Sequence, residues 1–312
     1  MVATYTGPSL QRSRKVLAMS VVPQQGPLVK KLLRALAQYR SRKIIDLQAF
    51  AAGRKHATDQ QSSVISPQSL ADLHPAHAIY AYAQNQASVL METITALPAL
   101  DRLTDLIVEA SEEYMPSGPP MSPLTSSYFF YWSCFDAAIG TARETAGDCI
   151  AALARCAGAH PEFLRIIDIM RESRMGLYVC EGGDLQSVKL REFVTGEIAS
   201  CIVPAGHRGQ RGEIWLARVL PPPAQQFAQS VVITTPYVII NPGEREWREF
   251  LERTLRKTGI NDPQQAYGQL MKYGLGMRYW SEYIFEAYVN YETSLVYVRG
   301  LPDVAGSRPH GA

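Results

Sequence analysis

The chain predicts an α+β protein. A helical N-terminal block is followed by a small, five-stranded β-barrel-like middle segment of SH3 or OB type and then a helical C-terminal segment. Three observations carry this. Apolar residues recur at three- and four-residue steps over residues 28–52 and 69–174, the period of helices with one buried face. From Gly176 to Ile240 the chain gives short β-type runs separated by glycine- and proline-rich turns, with no helical stretch between them to form βαβ units. Helical spacing returns after Asn241-Pro242.

Residues 1–26 are polar, carry Pro8, Pro23 and Gly26, and predict a loosely ordered arm. The next helix, 28–52, sets Leu28, Leu32, Leu36, Tyr39, Ile44 and Leu47 on its apolar side, with Lys30, Lys31, Arg34, Arg40, Arg42 and Lys43 around the rest. Gly53 is its expected stop, and the polar stretch 58–63 is a linker. Residues 69–97 form an alanine-rich helix, and Pro98 suits the first turn of the next one. Four prolines between 116 and 123 break the chain. A long aromatic helix over 128–157 is expected after them, then a shorter one to Arg174. The predicted strands are 177–180, 188–193, 198–203, 214–219 and 230–240. Asn241 is the expected cap of a helix ending at Gly259, with Pro242 in its first turn. Asp262-Pro263 opens another helix to about Tyr273, 277–291 is a third, and 294–298 alternates like a last strand. The resulting units are 1–56 (basic arm and helix), 57–174 (acidic helical domain), 175–241 (barrel), 242–302 (aromatic-rich helices) and 303–312 (polar tail).

The formal net charge of +2 conceals a strongly dipolar chain. Residues 1–56 hold eleven Lys or Arg and one acid, Asp46, whereas the remainder holds twenty basic residues and twenty-eight acidic ones. Residues 57–172 alone carry fourteen acids against five basic residues. A basic arm attracts polyanions or an acidic protein surface, so the partner expected is nucleic acid or such a surface. The alternative is that the arm docks on the chain's own acidic block, or on that of another copy in a homo-oligomer. At 46% hydrophobic and 19% charged residues, the composition excludes wholesale disorder. No apolar run is long enough to span a bilayer, and no apolar leader precedes a small-residue cleavage site, so a cytoplasmic protein is expected. Five scattered cysteines without a CxxC pair predict reduced, buried thiols.

Chemistry-bearing motifs are few. The stretch Gly206-His207-Arg208-Gly209-Gln210-Arg211-Gly212 is a basic hairpin whose amides suit a phosphate, and Trp215 beside it suits base stacking. No Walker A loop or dinucleotide fingerprint accompanies it. His74 and His77 lack a third and fourth ligand, so neither a metal centre nor a cofactor is expected. The candidate nucleic-acid contacts are therefore Lys30, Lys31, Arg34, Arg40, Arg42, Lys43, Arg54, Lys55, His207, Arg208, Arg211 and Trp215.

Arg155 and His160, separated by four residues at a helix junction, resemble the signature of HEPN-type ribonucleases. That resemblance implies an all-helical dimer and metal-independent cleavage of RNA. His160 would move the 2′-hydroxyl proton and Arg155 would stabilise charge developing on phosphate. Cys156 stands where that family usually has a polar residue, and Pro161 interrupts the helix after the histidine. A non-catalytic binding or adaptor protein is the preferred expectation, with the ribonuclease or a self-assembling structural subunit as alternatives.

Overall fold

The computed structural model describes residues 25–41, 65–115, 122–184 and 186–304. The N-terminal block contains α1 (Pro27–Ser41), α2 (Pro67–Ala71), α3 (Pro75–Thr95), α4 (Asp101–Tyr114), α5 (Ser126–Tyr131), α6 (Ala146–Cys156) and α7 (Pro161–Glu172). Its core is apolar where the helical period places it. Leu32 of α1, Tyr80 and Ala83 of α3, Ile150 of α6 and Ile167 of α7 are all buried together. Each large side chain withdrawn from water in this way contributes roughly 1.5–3 kcal/mol.

The middle segment is a closed barrel of β1 (Met175–Gly183), β2 (Val188–Glu192), β3 (Ile198–Ile202), β4 (Ile214–Leu220) and β5 (Ser230–Val232). Strands β1, β2 and β3 form an antiparallel meander. β5 runs parallel to β3 and antiparallel to β4, and β4 closes back on β1. This Greek-key closure separates the OB alternative from the SH3-like one. The interior is filled by Tyr178, Cys180, Leu190, Cys201, Trp215 and Ala217.

The expected last barrel strand is divided. After β5 the chain bends at Ile233–Pro236, where the Thr234 hydroxyl accepts the Arg218 amide and the Ile233 amide bonds the Arg218 carbonyl. It then continues as β6 (Tyr237–Ile239), still along β4 but diverging from the barrel. β6 leads an extension through β8 (Leu295–Val298) to the edge strand β7 (Tyr288–Glu292). Helices α8 (Glu244–Leu255), α9 (Pro263–Tyr273) and α10 (Tyr279–Ala287) pack on the outer barrel face, where Trp247, Tyr267 and Trp280 meet Leu177, Leu216 and Ile239.

Four boundaries differ from expectation. Residues 69–97 contain a break, because Pro75 starts α3 and the His74 ring caps it by accepting the Ala76 amide. The long helix expected over 128–157 ends in a π turn at Trp132–Asp136, where buried Asp136 turns to meet cations. A tight turn with left-handed Gly140 then precedes α6. Residues 288–291 are strand, because Tyr288, Asn290 and Tyr291 pair with β8 across a bulge at Val289 instead of extending α10. Asn241 does not cap α8, which starts at Glu244, because its carbonyl accepts the Gly300 amide at the end of the β8 hairpin.

Candidate nucleic-acid interface

The basic helix α1 is held from below and presents cations above. Its first amides, Leu28 and Val29, donate to the two carboxylate oxygens of Glu144 at 2.7 and 3.0 Å. Glu144 is only 6% exposed, so a negative charge sits against the positive end of the helix in a dry setting. Gly26 permits this approach, since a Cβ there would fall 2.2 Å from the Glu144 carboxyl carbon. Val29 and Leu32 are buried in the helical core, where α1 packs on α6 and the short turn Pro98–Leu100. Lys30, Lys31 and Arg34 are exposed, and among the described residues none of the three takes part in an ion pair. The helix therefore docks inward through its apolar stripe and outward keeps its charge. Arg40 lies in the last turn of α1. Arg42, Lys43, Arg54 and Lys55, with the arm before Gln25, lie outside the described residues.

The glycine-rich hairpin is built differently from the phosphate cradle expected of it. It folds over one end of the barrel as a plug. Trp215 is fully buried, its indole N–H donates to Glu213 at 2.9 Å, and the His207 ring lies 5.1 Å from it. His207 bonds the same Glu213 oxygen at 2.9 Å. Gly209 has a left-handed φ of 68°, and its Cα touches the indole so closely that a Cβ would lie 2.7 Å from it. Trp215 is thus a core residue with no face left for a base, and His207 is its partner. The Gly206 and Gly212 amides bond the Val203 and Cys180 carbonyls, which removes two donors from any cradle. Arg208 and Arg211 remain exposed, with Arg211 4.0 Å from Glu181.

The structure does not bring Arg155 and His160 together as a pair facing one site. The Arg155 guanidinium donates to both Asp168 oxygens at 3.0 Å. The His160 Nδ1 accepts the Glu162 amide and caps α7. Arg155 borders one cavity, with Arg143, Arg171 and Lys272, and His160 borders another between α3 and α7. Both residues have local structural work at the ends of α6 and α7. The chain matches no protein-family model, no curated protein and no solved structure in the comparisons made with each.

Other groups complete the electrostatic picture. Among the described residues no three His, Cys, Asp or Glu side chains gather as metal ligands, and no helix is long and apolar enough to cross a membrane. Burial, with His74 nearby, lowers the His77 pKa. Burial pushes the thiols of Cys134, Cys149 and Cys201 up to about 12, and Cys180 is also raised. Cys180 of β1 and Cys201 of β3, on either side of β2, both belong to the buried cluster inside the barrel. Sequence reasoning missed Glu144, which lies more than a hundred residues from the helix it holds and has no local pattern to announce it. It also missed the buried group of Asp136, Arg218 and Lys272, three single charges in otherwise apolar segments.

Proposed function

We propose that the protein is a non-catalytic nucleic-acid-binding protein that holds the phosphate backbone through the outer face of α1. The observation that supports this most directly is the state of Lys30, Lys31 and Arg34. They stand on a helix that is anchored by its apolar side and by Glu144, and they have no ion-pair partner among the described residues. Anchoring matters because a preordered cation loses less freedom on contacting phosphate than one on a loose tail. The surplus charge of residues 1–56 adds to the same field. With Trp215 buried, the barrel loop does not offer it as a stacking platform, and the reading rests on contacts of the cations with backbone charge. An acidic protein surface is the other partner the charge admits, but evenly spaced phosphates suit cations three and four residues apart without shape matching.

Removing residues 1–56 would strip Val29 and Leu32 from the core and confound the test. The exposed charges are the proper target. The variant Lys30→Glu/Lys31→Glu/Arg34→Glu should keep its melting temperature and lose at least about tenfold in affinity for a labelled duplex, measured by fluorescence anisotropy. Unchanged affinity in a folded variant would remove the reading.

A further inference from the structure

A second surface has the dimensions and chemistry of a ligand site. Between α3, the α6–α7 junction and the proline-rich β4–β5 loop lies a groove of about 820 Å³. That volume is in the range of cavities that take small organic molecules. Small side chains line it where α3 and α6 pack together: Ala83 of α3 and Ala154 of α6 are buried, and Ala157 is exposed. The walls are Ile79, Leu90, Phe163 and Ile166, so most of the lining is apolar. Of these, Ile79, Leu90 and Phe163 are only half-buried.

Its polar lining comprises Tyr82, Gln86 and Gln226 with the charged or basic groups His160, Glu162 and Arg165. His160 Nδ1 accepts the Glu162 amide at 3.2 Å, so the neutral ring carries its proton on Nε2 and offers N–H there. Arg165 spends Nε on the Glu162 carboxylate at 2.9 Å and one further nitrogen on the Pro223 carbonyl. A guanidinium has five N–H groups, so it retains donors after both bonds. The one rim carboxylate, Glu162, is already paired with Arg165. Donors at one end of an apolar trough match an acceptor head on an apolar tail.

From this we infer that the groove binds an amphiphile with an anionic head, the tail lying along Ile79, Leu90 and Phe163 and the head meeting Arg165 and His160. The site is separate from the outer face of α1 and does not depend on the nucleic-acid reading. It also gives His160 a binding role in place of the ribonuclease role.

Isothermal titration of the full chain with dodecanoate, dodecyl phosphate and dodecyltrimethylammonium, each below its micellar concentration, tests this. Saturable one-to-one binding of an anionic probe, at least about tenfold tighter than the cationic one, is expected. Preference between dodecanoate and dodecyl phosphate tells a fatty-acid head from a phosphate head. Ala157 is exposed, so Ala157→Trp should fold normally, fill the mouth and abolish the heat. Arg165→Gln should weaken the anionic probes about tenfold and leave the cationic one unchanged. No saturable heat, equal binding of both head charges, or binding unaltered in folded Ala157→Trp would overturn the proposal. So would a sedimentation shift from dimer to monomer in Ala157→Trp, since the groove would then be an interface between copies.

Discussion

Arg218 is 1% exposed, and its guanidinium reaches the Asp136 carboxylate together with the carbonyl and hydroxyl of Ser173. Lys272 donates to the other Asp136 oxygen at 3.3 Å and to the Arg171 and Ser173 carbonyls at 2.6 and 2.8 Å. A barrel strand, a π turn and a C-terminal helix are thereby joined through one carboxylate. Breaking such a group leaves buried charge unpaired, so Asp136→Ala should cost about 3–5 kcal/mol in urea unfolding. A loss below about 1 kcal/mol would show that water reaches the cluster. The thiols give a second check. Four of the five are buried with raised pKa values, and Cys156 alone is exposed. A thiol reagent should therefore label one cysteine in the folded protein and five after denaturation. His77 supplies a pH signature. Its folded pKa lies below the ordinary 6.5, so between those two values the unfolded chain binds more protons. Its contribution is complete above pH 6.5 and declines as pH falls through that window toward the folded pKa. The variant His77→Asn should flatten the decline, and an unchanged pH profile would assign it to other groups.

Most elements follow from short-range pattern. The first four barrel strands stand where alternation and turn residues place them, the fifth covers only the start of its expected run, and Asp262-Pro263 opens α9 with Asp262 accepting the Gln265 amide. What pattern could not supply is tertiary choice. Residues 128–157 are helical in spacing throughout, yet the α-helix gives way to a π turn ending at Asp136, which pairs with Arg218 and Lys272 far along the chain. The loop at 206–212 has the composition of a phosphate cradle, but Trp215 and Glu213 draw it onto the barrel end. Of the proposed contact residues, the exposed position of Lys30, Lys31 and Arg34 was legible from helical period, and the burial of Trp215 was not, because strand alternation does not say which face is inside. The element whose placement matters most is α1. Removing its acceptor in Glu144→Ala abolishes two charged hydrogen bonds, each worth about 1.5–3 kcal/mol. Amide exchange in residues 27–41 should then rise selectively over that in the barrel. Equal protection in the variant would mean that the apolar contacts of Val29 and Leu32 suffice alone.

At the scale of the molecule, the charge asymmetry of the chain becomes a spatial one. The acidic helical block does receive α1, but through apolar side chains and the single carboxylate Glu144, and the helix's described cations face away from it. Inward docking and outward charge are two sides of one helix, with Lys30, Lys31 and Arg34 exposed on the second. Among the described residues, Lys30, Lys31 and Arg34 form no ion pair with acids of the block. The central claim is that these cations meet phosphates, and counterion release measures that directly. Plotting the logarithm of the association constant for duplex DNA against the logarithm of salt concentration gives a slope of about −0.9 for each phosphate neutralised. Charge reversal at Lys30, Lys31 and Arg34 should make that slope shallower by about 2.7 relative to the unaltered protein. A slope that is the same in both proteins, or binding that does not respond to salt, would contradict the account.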